Sequence, residues 1–230
     1  MPSVIFHFYE NGQEPVKRKT PVSNAVIAGW TGRDADAVEK HIAELEKLGV
    51  QRPATTPIFY RVSAARLTTT DKIEVLGKQS SGEVEFVLLQ ADGRLWVGVG
   101  SDHTDRKVET YNVSVSKQMC DKPLAPEFWP YEELAEHWDR LILRSFAVEG
   151  GVQRLYQEGT VTAMLPPADL IRRLSSAGTL PEETLMFCGT LPVKGEFATA
   201  AERFIFELED PVKARIIRRG YDIVTLANMG

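Results

Sequence analysis

The sequence predicts a single α+β domain that is mostly β, with a few helices covering its sheets. Three observations carry this expectation. Short β-branched and aromatic runs outnumber stretches with helical periodicity. The two kinds of element do not alternate as they would in a parallel βαβ fold. Strand-like runs also flank Asp92-Gly93, a dipeptide that two-residue hairpin turns favour, and Glu149-Gly150-Gly151, a second hairpin candidate. With 230 residues, 43% hydrophobic and 26% charged, the chain can bury a substantial core. No repeat, low-complexity tract or linker divides it, so residues 1–230 read as one domain.

Val4-Ile5-Phe6-His7-Phe8-Tyr9 reads as the opening strand, followed by a polar turn through Asn11-Gly12 and a charged stretch to Lys19. Residues 24–30 form a second strand that runs into the turn Thr31-Gly32-Arg33. Asp34 is then placed to cap a helix over residues 35–48, where Ala35, Val38, Ile42, Leu45 and Leu48 recur at helical spacing and Gly49 supplies the stop. Pro53 and Pro57 frame an irregular segment before strands at 58–62 and 72–76. After the Asp92-Gly93 hairpin, residues 111–117 alternate like a strand that ends on Lys117. Helices are predicted over 132–143 and 167–176, the second with Pro in its first turn. Strands are predicted at 144–148, 152–156, 160–165, 185–188, 204–208, 214–219 and 222–226.

Composition excludes several function classes. A net charge of −5 supplies no basic face for nucleic acid, and Arg172-Arg173 and Arg218-Arg219 are too small to track a phosphate backbone. The first 13 residues carry no leader pattern and no run approaches membrane-spanning length, so a cytoplasmic enzyme or binding protein is expected. Cys120 and Cys188 lie far apart, without metal-ligand or redox spacing, and read as buried structural thiols.

The chemistry concentrates in the first hairpin. With Asp92 and Gly93 as the loop, Glu83 faces Asp102 and Glu85 faces Gly100, and alternation puts Glu83, Glu85 and Asp102 on one face. Facing residues have Cβ atoms roughly 4.5–5.5 Å apart. Two unit charges about 5 Å apart repel by about 3 kcal/mol at an effective dielectric near 20, so three carboxylates need a cation or a raised pKa. A divalent metal supplies the charge; a solvated strand face is the plainer alternative. Val87 and Leu89 continue that face, placing the acids at the rim of an apolar surface. Gly98 and Gly100, opposite Val87 and Glu85, suggest a hollow where a ligand nears the backbone.

Other groups could join such a site. His41 and Glu44 lie three apart on the first helix, a spacing at which a carboxylate can fix a histidine's tautomer and raise its basicity, although a surface pair is the simpler reading. Ser101-Asp102-His103-Thr104-Asp105-Arg106 packs charge into one short turn. Within it His103 and Asp105 are alternative ligands, and Arg106 is either an ion-pair partner for the acids or a fork for a substrate carboxylate. Lys117 could neutralise charge that develops on a bound substrate.

These residues resemble the fumarylacetoacetate hydrolase (FAH) superfamily, and most nearly a bacterial branch of it without an assigned reaction. Glu83-Val84-Glu85 and Gly100-Ser101-Asp102 match its Glu-x-Glu strand and following aspartate turn. His41-Ile42-Ala43-Glu44 matches its His-x-x-Glu, Lys117 its lysine, and Gly189-Thr190 its substrate turn, in order over about residues 25–226. The resemblance implies an FAH-like β-sandwich or β-roll, usually a homodimer. Glu83, Glu85 and Asp102 would bind Mg2+ or Mn2+, with Ca2+ as a substitute. The implied substrate is a small 2-oxo or 2,4-dioxo acid held by Arg106, Lys117, Gly189 and Thr190. Water activated by His41 and Glu44 would then cleave a C–C bond. The alternatives are a 2-oxo acid decarboxylase, hydratase or isomerase on the same metal, or a non-catalytic oxo-acid binding protein. Gly29-Trp30-Thr31-Gly32-Arg33, Ser101, His103 and Glu109 depart from the superfamily pattern, and residues 1–24 match none of it.

Overall fold

The structure, a computed structural model, describes residues 2–10, 13–47, 52–227 and 229, without the side chains of His41 and Leu45. The expected polar turn at Asn11-Gly12 and the helix stop at Gly49 lie outside the described residues.

In chain order the first elements are β1 (Ser3–Phe8), β2 (Val16–Pro21), β3 (Asn24–Gly29), α1 (Ala35–Lys47) and β4 (Ile58–Val62). Next come β5 (Leu67–Thr68), β6 (Lys72–Leu76), β7 (Ser80–Ser81), β8 (Val84–Ala91), β9 (Arg94–Ser101) and β10 (Thr104–Asp105). Two short helices, α2 (Arg106–Glu109) and α3 (Val113–Met119), precede β11 (Lys122–Pro123), β12 (Glu127–Pro130), β13 (Ile142–Glu149) and β14 (Val152–Thr160). The chain closes with α4 (Pro167–Leu174), β15 (Thr184–Thr190), β16 (Arg203–Asp210) and β17 (Arg215–Leu226).

An eight-stranded sheet in the order β2-β1-β12-β9-β8-β15-β3-β4 packs against a five-stranded sheet, β14-β13-β16-β17-β6. Between them, Val84, Phe86 and Leu88 of β8 meet Leu143, Phe204, Phe206 and Tyr221 in the larger of two cores. The odd-numbered residues of β8 are buried as well. Val87 and Leu89 join Phe6 and Phe8 of β1 and Ala25 and Ile27 of β3, because the large sheet rolls over so that strands near its two edges enclose the middle. The expected mostly β fold with few helices is what forms. β8 is therefore apolar on both faces, and Glu85, its second residue, interrupts that pattern.

Several local expectations are corrected. Residues 111–117 are not a strand: the Asn112 side chain accepts the Val115 amide and caps α3, and Val115 stays exposed. The Val-Ser alternation imitated a strand where a cap signal stood in front of it. Residues 132–143 form short 3-10 turns over Tyr131–Glu133 and Ala135–Arg140 before β13 begins, and residues 161–163 form another in place of the predicted strand. The last two predicted strands are one continuous strand, β17, which crosses Gly220 without a break.

Candidate metal centre

The β8–β9 hairpin has the expected register, with Glu85 opposite Gly100 and Val84 opposite Ser101. Asp92 (φ 54°) and Gly93 (φ 73°) both take the left-handed conformation that a tight primed turn requires. Beyond the last ladder pair, the Asp102 amide donates to the Glu83 carbonyl at 3.0 Å, extending the ribbon by one pair. One carboxylate oxygen from each of Glu83, Glu85 and Asp102 then lies within 4.8 Å of the others.

Each acid is held differently. Glu83 Oε1 accepts Arg106 Nη1 at 3.0 Å. Glu85 is buried, and its Oε2 accepts the Gly189 amide at 2.7 Å. Asp102 is fully enclosed between two lysines: Lys117 Nζ contacts its Oδ2, and Lys122 Nζ lies 3.1 Å from its Oδ1. Burial raises the pKa of Glu83, against the pull of Arg106. Burial and then the Asp102 charge push Glu85 well above the ordinary carboxylate range. Burial would raise Asp102 too, but Lys117 and Lys122 more than reverse it and bring it to about 2. Lys117 is driven up by the same carboxylates, Asp102 first, despite its own burial, and stays an ammonium. This imbalance, two carboxylates whose charge burial disfavours beside a third that stays ionised, is what a hard cation relieves. Three convergent oxygen donors suit Mg2+, Mn2+ or Ca2+, so the residues present fit such an ion.

The surrounding residues occupy definite places. Arg106 Nη1 bridges Glu83 and Glu109, each at 3.0 Å, and its Nε donates to Ser81 Oγ at 2.8 Å, so the guanidinium serves as an ion-pair partner. Gly189 has φ 95°, and a Cβ there would lie 1.8 Å from Thr31 Oγ1, so glycine is what lets its amide reach Glu85. The Thr190 hydroxyl donates to the Val84 carbonyl at 2.7 Å and accepts Gln157 Nε2 at 2.8 Å, which ties it into the fold. His103 is no ligand in this arrangement. Its ring spans Tyr221 OH (2.8 Å) and Ser80 Oγ (2.9 Å), and burial, aided by Lys122 and Arg106, lowers its pKa to about 3. Asp105 caps α2 by accepting the Val108 amide. The expected hollow beside Gly98 and Gly100 is filled: a Cβ at Gly98 would meet Phe128 at 2.8 Å, and one at Gly100 would meet Leu124 and Phe187 at 2.8 Å. Those glycines admit core side chains to the ribbon.

His41 and Glu44 ride on α1, which leaves the same end of the large sheet through the turn after β3. Asp34 Oδ1 caps that helix by accepting the Asp36 and Ala37 amides, as expected. Glu44 is exposed; the His41 side chain lies outside the described residues.

Sequence reasoning missed four contributors. Lys122, fully buried, also donates to the His103 carbonyl at 2.6 Å. Gln157 uses all its capacity: Oε1 accepts the Val84 amide and the Ser145 hydroxyl, and Nε2 donates to Thr190 Oγ1 and the Leu191 carbonyl. Tyr221 OH joins Ser101 Oγ (2.9 Å) to His103, linking the two sheets behind Asp102. Phe197 lies over the Arg106 guanidinium at 4.7 Å. Each acts across 12 or more residues of sequence, where no local pattern announces it.

The chain belongs to the family described as "Protein of unknown function (DUF2848)", whose model matches residues 28–221. No curated protein matches it. Among solved structures, Cg1458 is similar at a TM-score of 0.62 and 12% identity, over 93% of this chain and 85% of that one. The 2-keto-3-deoxy-D-arabinonate dehydratase complexed with magnesium and 2,5-dioxopentanoate is similar at a TM-score of 0.63 and 16% identity, over 96% of this chain and 79% of that one. At these identities the likeness speaks to the fold. No helix among the described residues is long and apolar enough to cross a membrane.

Proposed function

We propose that the protein is a divalent-metal-dependent enzyme that acts on a small oxo acid, in the manner of the FAH superfamily. The observation that carries this is the convergence of Glu83, Glu85 and Asp102 on one point, with Glu85 held in an environment that disfavours its charge. Magnesium and an oxo compound bound to a protein of similar fold support the same reading.

In this account Glu83, Glu85 and Asp102 hold Mg2+ or Mn2+, which when bound supplies Lewis acidity towards the carboxylate and keto oxygens of the substrate. Lys117 keeps Asp102 ionised and presents an ammonium to negative charge developing on the substrate. The Gly189 amide fixes the Glu85 carboxylate, and Thr190 fixes the strand that carries it. Arg106 orients Glu83. His41, supported by Glu44, takes the proton from the water that adds to the distal carbonyl of a 2,4-dioxo (acylpyruvate-like) acid; the C–C bond next to that carbonyl breaks, releasing a carboxylic acid and the enolate of a 2-oxo acid, which takes up a proton at carbon. The protein works as a cytoplasmic homodimer. Dehydration of a 2-oxo acid is the second reading, favoured by the reaction named for the similar dehydratase.

The test is turnover of a panel of 2,4-dioxo and 3-deoxy-2-oxo acids with Mn2+, with products followed by NMR. Hydrolytic cleavage of an acylpyruvate, lost in His41→Ala, is expected. Undiminished cleavage in that variant would refute the role of His41, and loss of water from a 3-deoxy-2-oxo acid as the sole reaction would select the second reading.

A further inference from the structure

The candidate metal centre is open on one side only gradually. The Asp102 side chain is fully enclosed and that of Lys117 is 8% exposed. Exposure then climbs through Arg106 and Glu83 to 28% at Glu109. It ends at Phe197, which is 51% exposed while its ring lies 4.7 Å over the Arg106 guanidinium. Arg106 and Phe197 thus form the exposed margin of the centre on this side, where a part of a ligand that stays outside the three carboxylates can rest.

The ring is held in place. Arg154 donates from both terminal nitrogens to the carbonyls of Lys194 and Glu196, the Lys194 amide donates to the Tyr156 carbonyl, and Ala198 is buried beside it. Phe197 thus projects from a loop braced on both sides, presenting half its surface to water at the mouth of a polar site. An aromatic face so placed gains by covering apolar surface. The charge at the mouth sharpens the choice of ligand. Arg106 pairs with Glu83 and Glu109, and with Glu83 given to the metal, Glu109 is the more exposed carboxylate that stays beside the guanidinium under the ring. A second carboxylate on the substrate would meet repulsion there.

Building on the metal-dependent oxo-acid reading, we infer that Phe197 is the wall of a distal subsite and selects 2-oxo acids with an uncharged apolar tail. The test uses the Mn2+-loaded protein and isothermal titration with oxalate, 2-oxohexanoate and 2-oxoadipate, on wild type, Phe197→Ala and Phe197→Tyr. Wild type should bind 2-oxohexanoate about tenfold more tightly than 2-oxoadipate, and Phe197→Ala should lose about fivefold on 2-oxohexanoate alone. Oxalate, which fills the centre without reaching the mouth, should bind all three proteins equally, and Phe197→Tyr should keep the wild-type preference. Equal losses for oxalate and 2-oxohexanoate in Phe197→Ala, a wild-type preference for 2-oxoadipate, or a change of oligomeric state in the variant would overturn the inference. Absence of oxalate binding to wild type with Mn2+ would instead overturn the metal reading itself, and the inference with it.

Discussion

Replacing Glu85 by glutamine should make the metal-free protein more stable while removing its capacity for metal. Glu85 is buried, and its carboxylate lies within 4.8 Å of those of Glu83 and Asp102. At that separation one pair of unit charges costs about 3 kcal/mol at an effective dielectric near 20. Attraction to Lys117 offsets part of this, and uptake of a proton by Glu85 caps it, leaving about 1–3 kcal/mol to be recovered by a neutral side chain. Glutamine keeps the volume, and its oxygen can still accept the Gly189 amide. For a chain of this size about 2 kcal/mol corresponds to a rise of roughly 4–8 °C in Tm. The assay is thermal unfolding in EDTA and again with Mn2+. Wild type should gain about 2–3 kcal/mol from Mn2+ at a hundred times its Kd, and Glu85→Gln should gain nothing. A Tm below wild type in EDTA would refute the electrostatic account of this site, whatever the metal then does. Such a trade, stability given up to keep a charged site, is common where function needs unfavourable contacts.

Three further outcomes follow from the same contacts. Gln157→Leu leaves the Val84 amide, the Leu191 carbonyl and the Ser145 hydroxyl without their Gln157 partner, while Thr190 keeps its bond to the Val84 carbonyl, and should cost about 3–5 kcal/mol in urea unfolding, a loss that a mild effect near 1 kcal/mol would contradict. Gly189→Ala, strained by φ 95° and by the Thr31 hydroxyl, should lower Tm and weaken Mn2+ binding together, because it displaces the amide that holds Glu85; a loss of stability with metal affinity intact would separate the two. His103 falls from 6.5 in the unfolded chain to about 3 when folded, so its contribution is complete above pH 6.5 and is lost as pH falls towards 3. Between pH 6.5 and 4.5 this amounts to about 2–3 kcal/mol. Glu85, with a raised pKa, works in the opposite sense over that range, so the slope is read as the difference between wild type and His103→Asn, whose stability should depend less on acid; identical slopes would contradict the burial of a neutral imidazole.

What was legible in the sequence and what was not divides along physical lines. The hairpin register followed from two residues, Asp92 and Gly93, because a two-residue turn leaves one pairing, and that pairing brings Glu83, Glu85 and Asp102 together. The capped helix of α1 and the second hairpin at Gly150-Gly151 were legible for the same reason: their signals are local. Lys117 was recognised but set on the wrong element, since Val113 and Val115 alternate with serines while the Asn112 cap, equally visible, decides the helix. Lys122, Gln157 and Tyr221 were illegible because each is defined by partners that only the folded chain brings near it: Asp102 and the His103 carbonyl for Lys122, and the opposite sheet for Gln157 and Tyr221. Gly98 and Gly100 were misread because a glycine that admits a ligand and one that admits a phenylalanine look alike until the ring of Phe128 or Phe187 is placed.

The measurement closest to the central claim is calorimetric titration of metal-stripped protein with Mn2+, on wild type and on Glu83→Ala, repeated in two buffers of different ionisation enthalpy. The account predicts saturable binding at one ion per chain, release of a proton as Glu85 ionises, and loss of both in the variant. Wild type that binds no Mn2+, or binds it as well without Glu83, would contradict it.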